Sequence, residues 1–335
     1  MNEMTSPQPL EILDLRHFSA RQMRPLLEAE AEEWFRRLRW EYGSSTELLL
    51  QYLDSRILPG FVALNRGRIC GYTFCVYEGQ KAVIGDLYVA PDNPEPLAVA
   101  HTLAKHLLEV LEASPEIFRV EAQLLLFDSG QLSPAFKGFE VFPRLFLERE
   151  LHPLTLAGTA PQFPEAFDLA AWTPHLYDAV AQMIHAAYQG SIDSGINDQY
   201  RTLAGAQRFL HNIIRFPGCG TFDPENSWVL RERSSGALVG TLLCSRVAAG
   251  VAHLTQLCLA PEFRAQGLGS KLLDFATQNL AARGYRALTL TVSEGNRNAV
   301  ALYLGSGFEV RHRFDALVRT IAKRPAFGLA HFPPG

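Results

Sequence analysis

Gly-Phe-Glu-Val stands at 138–141 and again at 307–310, and the 169-residue spacing between the copies recurs along the chain. FVALNRGRICGY (61–72) reads as a strand, a tight turn and a second strand, and WVLRERSSGALVGT (228–241) repeats that outline, with Gly71 and Gly240 at the same spacing. DLYVAPDNPEPLAVAHTLAKHLLEVL (86–111) and QLCLAPEFRAQGLGSKLLDFATQNL (256–280) each give an apolar strand, an Ala-Pro and a long amphipathic helix. QLLLF (123–127) and LTLTV (288–292) supply one further strand apiece, and helices are expected over 20–38 and 174–190. A chain so built folds as two tandem copies of one α/β unit, each a mixed sheet with flanking helices. The join falls in 152–167, which carries Pro153, Pro161 and Pro164 and keeps no period. This places the units at 1–155 and 165–335.

Charge and cysteine usage narrow the function classes. A formal charge of −4 over 335 residues leaves no basic footprint for nucleic acid, and Arg36-Arg37-Leu38-Arg39 sits among as many acids, as on the wet face of a helix. Five cysteines, with no Cys-x-x-Cys and no histidine at metal spacing, indicate neither a zinc site nor a disulfide framework. No uncharged apolar run approaches the ~18 residues needed to span a bilayer, so a soluble cytoplasmic protein is expected.

Chemistry concentrates between 254 and 308. LTQLCLAP is apolar enough for a buried strand, which Pro261 ends because it has no N–H to give. In RAQGLGSKLL, Gly267 and Gly269 permit close backbone approach, so successive N–H groups can face one concavity. The helix that follows, over 270–283 with Gly284 as its stop, aims its positive end there, an arrangement suited to phosphate. Position 272 is Leu, which breaks Gly-x-Gly-x-x-Gly, and no Gly-Lys-Ser/Thr run exists, so a dinucleotide turn and a nucleotide-triphosphate loop are both excluded.

Arg-x-x-Gly-x-Gly from Arg264 to Gly269, together with NRNAVALYLGSGF (296–308), resembles the GNAT superfamily of N-acetyltransferases. The resemblance is close over about 228–315, and the first half shares only the outline. It implies that Arg264, Ala265, Gln266, Gly267, Leu268, Gly269 and Ser270 hold the pyrophosphate of acetyl-CoA through main-chain amides. It also implies that Leu257, Cys258 and Leu259 pair with the pantetheine arm and offer an N–H to the thioester oxygen. Asn296 then lies near the cofactor arm, and Tyr303, seven residues on, serves as general acid. The expected reaction is transfer of an acetyl or longer acyl group to an amine of a small molecule or peptide by direct attack on the thioester. An acyl-CoA-binding sensor or interaction protein without turnover is the alternative. Gly307 and Phe308 of the repeated tetrapeptide read as architecture, a turn and a core aromatic.

The departure that matters concerns the base. Several members of the superfamily carry Glu five residues before the motif Asn, where this chain has Thr291. His253 and Glu294 are the candidates within reach, and a water chain could replace both. The first unit has Pro94, Leu97 and Val99 opposite Arg264, Gly267 and Gly269, so its cradle is lost and the unit is degenerate. Tandem members of the superfamily with an active C-terminal unit share this layout. Acceptor contacts are expected from 190–222, among Asp193, Asn197, Asp198, Tyr200 and Arg208.

Overall fold

Each half begins with a strand and helices and then builds a meander, as the repeat requires. The computed structural model describes residues 10–152 and 161–321, so part of the expected join lies outside the described residues. The first half comprises β1 (Glu11–Asp14), α1 (Ala20–Leu38), α2 (Gly43–Asp54), β2 (Gly60–Asn65), β3 (Arg68–Glu78), β4 (Lys81–Val89), α3 (Pro96–Ala113), β5 (Arg119–Gln123) and β6 (Glu140–Glu150). The second comprises β7 (Phe167–Ala171), α4 (Tyr177–Tyr188), α5 (Ile192–Ile196), α6 (Leu203–Arg215), β8 (Thr221–Phe222), β9 (Trp228–Glu232), β10 (Leu238–Ala248), β11 (Val251–Leu259), α7 (Leu268–Ala282), β12 (Ala287–Ser293), α8 (Arg297–Gly305) and β13 (Glu309–Thr320). α1 shows how locally these elements are specified. Ser19 and Gln22 close a capping box, and Met23, Leu26, Leu27, Glu30, Trp34 and Leu38 form its buried stripe.

The two halves share one sheet, in the order β1-β2-β3-β4-β5-β13-β6-β12-β11-β10-β9-β7, with β8 against β10. The last strand of each half is lent to the other: β13 lies between β5 and β6, and β6 lies between β13 and β12. β6 and β13 run antiparallel, so the arrangement is pseudo-twofold about their pairing. The repeated tetrapeptide opens both strands, and Val141 meets Leu317 while Val310 meets Leu147. The recurrence of Gly-Phe-Glu-Val therefore marks the start of the two exchanged strands.

Two expectations are corrected. QLLLF does not form a strand. β5 ends at Gln123, and Leu124–Phe127 turn, with Leu124 and Leu126 going to different cores. The pairing positions were taken instead by Arg119–Gln123, which face β4 and β13 on either side. Nor is the arginine cluster simply a wet face. Arg37 donates to Leu126 O and to Asp128 Oδ1 (2.8 Å), and Arg39 pairs with Glu148 (3.0 Å) on β6.

The core containing α1 and α2 crosses between the halves, reaching Val247, Val251, Ala287 and Phe314. It also holds a polar group. Glu30 is fully buried and accepts from Tyr72 Oη (2.7 Å), while Asp86 accepts from Leu87 N (2.8 Å) and Tyr42 Oη (3.2 Å). Burial, and then the neighbouring Asp86, push the Glu30 carboxyl well above the usual range, so Glu30 carries the proton of this pair.

Candidate active site

In both halves a parallel pair stops short. β11 pairs with β12 only from Val251/Ala287 to Leu254/Leu290, although β11 runs on to Leu259 and β12 to Ser293. Thr255 is bulged between the pairs Cys244/Leu254 and Leu243/Gln256, and past it the strands part. β11 stays paired to β10 through Leu257, Cys258 and Leu259, so alternate backbone groups on its other edge face the gap.

The glycine loop stands at the mouth of that gap. Ala265 (φ 58°) and Gly267 (φ 76°) are both left-handed, Gly267 is the N-cap of α7, and no side chain caps that helix. A Cβ on Gly267 would meet nothing within 4 Å, so the space before the helix N-terminus is open. Uncapped N–H groups on a helix end are an anion site in waiting, and the residues fit a pyrophosphate. Gly269 is not forced by crowding, since a Cβ there makes only ordinary contacts with Leu259 and Leu302. Arg264 turns beneath the loop, donating from Nε to Leu259 O (3.2 Å) and from Nη2 to Ala187 O, and so braces it. Gln266 donates to Glu262 O (3.0 Å), and Leu268 and Ser270 belong to the first turn of α7.

The first half differs at this very place. Its helix opens with Pro96, Pro94 precedes it, and the N–H of Glu95 is taken by Asn93 Oδ1 (3.0 Å). Of the donors that the glycine loop leaves free, one is here removed by Pro96 and one is satisfied at Glu95, although α3 has no side-chain cap either.

Tyr303 on α8 is buried, edge-on to Phe308 at 5.7 Å. Burial first, then the charges of Asp193 and Cys258, push its hydroxyl up, so it holds its proton through neutral pH. Cys258 stands next to last in β11 and Asp193 lies against Ser293 at the end of β12, so the phenol is within reach of charges from both strands that border the gap. Cys258 is buried and its thiol is pushed up to about 12, leaving it a small apolar group. Asn296 caps α8, accepting from Ala299 N (3.3 Å).

The two base candidates lie elsewhere. His253 is enclosed in the core between the halves, beside Trp40 (4.9 Å) and Phe146 (6.0 Å), with Nδ1 2.9 Å from Thr289 Oγ1. Burial takes its pKa down to about 3, so the ring is neutral. Glu294 is exposed and ion-paired to Arg313 (2.5 Å). Of the expected acceptor residues, Asp193 and Tyr200 come to the gap. Tyr200 stacks on Tyr188 at 4.1 Å and accepts from Gln256 Nε2 (3.0 Å). Asp198 instead meets Lys81 of the first half (2.6 Å), Asn197 caps Gln199 (3.0 Å), and Arg208 is exposed on α6. Arg144 was not found from sequence, because it reaches the gap from β6 and only strand exchange brings it there. Among the described residues no cluster of three or more His, Cys, Asp or Glu is placed to hold a metal, and no helix is long and apolar enough to cross a membrane.

Residues 196–308 match the Acetyltransferase (GNAT) family model, and with this fold the chain carries a GNAT-family domain within a pair of tandem GNAT-like units. A mycothiol acetyltransferase of Beutenbergia cavernae is 34% identical over 87 residues, which is 26% of this chain and 29% of that protein. The match thus spans less than a third of that relative. In fold, the chain is similar to a GCN5-related N-acetyltransferase from Sphaerobacter thermophilus (TM-score 0.64, 18% identity, 97% and 99% of the two chains). It is also similar to a tandem GNAT protein of the clavulanic acid biosynthesis pathway (TM-score 0.59, 15% identity, 94% and 99%).

Proposed function

We propose that the second unit transfers an acyl group from acetyl-CoA to an amine of a small molecule or peptide, in a single direct attack. The observation that carries this reading is the open, glycine-turned N-terminus of α7 at the mouth of the β11/β12 gap, with a protonated tyrosine inside it. Acetyl-CoA would supply the activated thioester carbonyl. Ala265–Ser270 would hold its pyrophosphate on main-chain N–H groups, and the free edge of Leu257–Leu259 would align its arm and direct an N–H at the carbonyl oxygen. One such donor is worth ~3 kcal/mol in the transition state. Tyr303, kept neutral by burial, would hand its proton to the departing thiol. His253 and Glu294 stay outside this chemistry, one enclosed in the core and neutral, the other tied to Arg313 at the surface.

The first unit contributes structure. Lys81, Glu121 and Arg119 bind Asp198, and Glu78 accepts from Gln199 (3.0 Å), which fixes the acceptor-side segment of the second unit. Five free thiols fit a reducing compartment, and we place the protein in the cytoplasm. Thr291, where a Glu would be expected, is what favours a non-catalytic acyl-CoA sensor instead. Release of free thiol from acetyl-CoA across a panel of amines decides between them: amine-dependent release supports the enzyme, and tight binding without release supports the sensor.

A further inference from the structure

Thr291 and Ser293 project from the same face of β12 at the gap, and a carboxylate is present there although β12 supplies none. Ser293 Oγ donates to Asp193 Oδ1 (2.6 Å), Arg144 Nη1 lies 3.5 Å from the same oxygen, and Arg144 Nη2 lies 3.4 Å from Thr291 Oγ1. Both contacts fall on Oδ1, so Oδ2 is turned to neither. The side chains of Arg144 and Asp193 are only 12% and 14% exposed. Arg144 Nε is buried without a partner, a desolvation cost that packing alone would not call for. α5, which carries Asp193, is pinned at both ends: Ile192 packs on Gly295, and Arg119 donates to Gly195 O (2.6 Å).

We propose that Asp193 accepts the proton of the attacking amine, and that Arg144, reaching across from the first unit, is the residue that positions it. The inference rests on the acyl-transfer reading above. As the amine nitrogen bonds to the acyl carbon, its N–H bond breaks and the proton passes to Asp193. The C–S bond breaks, and the sulfur takes the proton of Tyr303. Solvent then returns Asp193 to carboxylate and Tyr303 to phenol. The groups facing Asp193 are Arg144 from β6, Ser293 and Thr291 from β12, and Tyr188, Tyr200 and Tyr303, whose hydroxyls all feel its charge. Arg201 donates to Ser194 O (2.8 Å) at the outer side of α5, and Arg119 is paired with Glu121. Arg144 is therefore the cation that lies against the Asp193 carboxylate, 3.5 Å from Oδ1.

The test is thiol release from acetyl-CoA by the full chain, with spermidine, glucosamine and glycylglycine as amines, from pH 5 to 9. Asp193→Asn should lower kcat by ~10²-fold or more while calorimetric acetyl-CoA affinity is unchanged, which also reports that the variant is folded. Arg144→Ala should lower kcat and move the acid limb of kcat/KM to higher pH, and Arg144→Lys should move it back. A purely structural arginine would leave that limb in place. Wild-type kcat in Asp193→Asn, or an unmoved acid limb in Arg144→Ala, overturns the assignment while leaving acyl transfer standing. If wild type binds acetyl-CoA and no amine elicits thiol, the acyl-transfer reading fails and this inference fails with it.

Discussion

A plain tandem repeat predicts that the second unit, cut out as 161–335, folds alone; exchanged strands predict that it does not. Removing the first half takes away β6, which makes nine register pairs with β13 and seven with β12. At a net ~0.5–1.5 kcal/mol per hydrogen bond, this ladder is worth on the order of 10 kcal/mol. β6 also brings Leu145, Phe146 and Leu147, at most 3% exposed, each worth ~1.5–3 kcal/mol of burial. A domain is stable by only ~5–15 kcal/mol in total, so the loss is of the size of the whole. The fragment 161–335 should therefore aggregate or lack a cooperative urea transition by circular dichroism, and co-expression with 1–152 should restore a folded complex that binds acetyl-CoA. A monomeric 161–335 that unfolds cooperatively and binds acetyl-CoA by calorimetry would refute the reasoning.

Further outcomes are expected at single residues. Gly267→Glu places a side chain at φ 76° and a negative charge at the helix N-terminus, so acetyl-CoA affinity should fall at least ~5-fold from the ~1–2 kcal/mol backbone cost alone. Wild type should bind one molecule per chain, and calorimetry reads both. Tyr303→Phe should lower turnover by ~10²–10⁴-fold with cofactor affinity unchanged, and wild-type turnover would reduce the residue to packing. Glu30 holds its proton in the folded chain at pH values where the unfolded chain has lost it. Its stabilisation is thus full below the ordinary carboxylate pKa and falls by ~1.4 kcal/mol per pH unit as pH rises towards the folded value. Glu30→Gln, which keeps an acceptor for Tyr72, should flatten that decline in urea melts between pH 5 and 9, and parallel curves would exclude the protonated pair.

The repeated fold and the left-handed turn before α7 were legible because each depends on neighbours in sequence. The repeat fixes the element order, and Gly267 advertises a left-handed turn before a helix. The join between the units was read as a boundary, yet one sheet spans both halves, since a strand such as LFLERE has no mark that says which half it will pair with. The same blindness hid Arg144. Its partners Asp193 and Thr291 are 49 and 147 residues away, and no local period links them. His253 looked available because it stands near the start of β11, one of the two strands that border the gap. Nothing in its own surroundings showed that Trp40, from the other half, would cover it.

The exchange of β6 and β13 also bears on how the chain is made. β6 is complete at residue 150, whereas the strand that must fill the space beside it ends at 320. At ~5–20 residues per second of synthesis, the edges of β5 and β6 wait roughly 10–30 s with unpaired backbone. During that interval the nascent first half is an open-edged sheet, the kind of surface that pairs with any neighbouring strand. Ribosome-bound chains should therefore engage chaperones from about residue 150 until β13 emerges, and release should coincide with closure of the sheet at its centre.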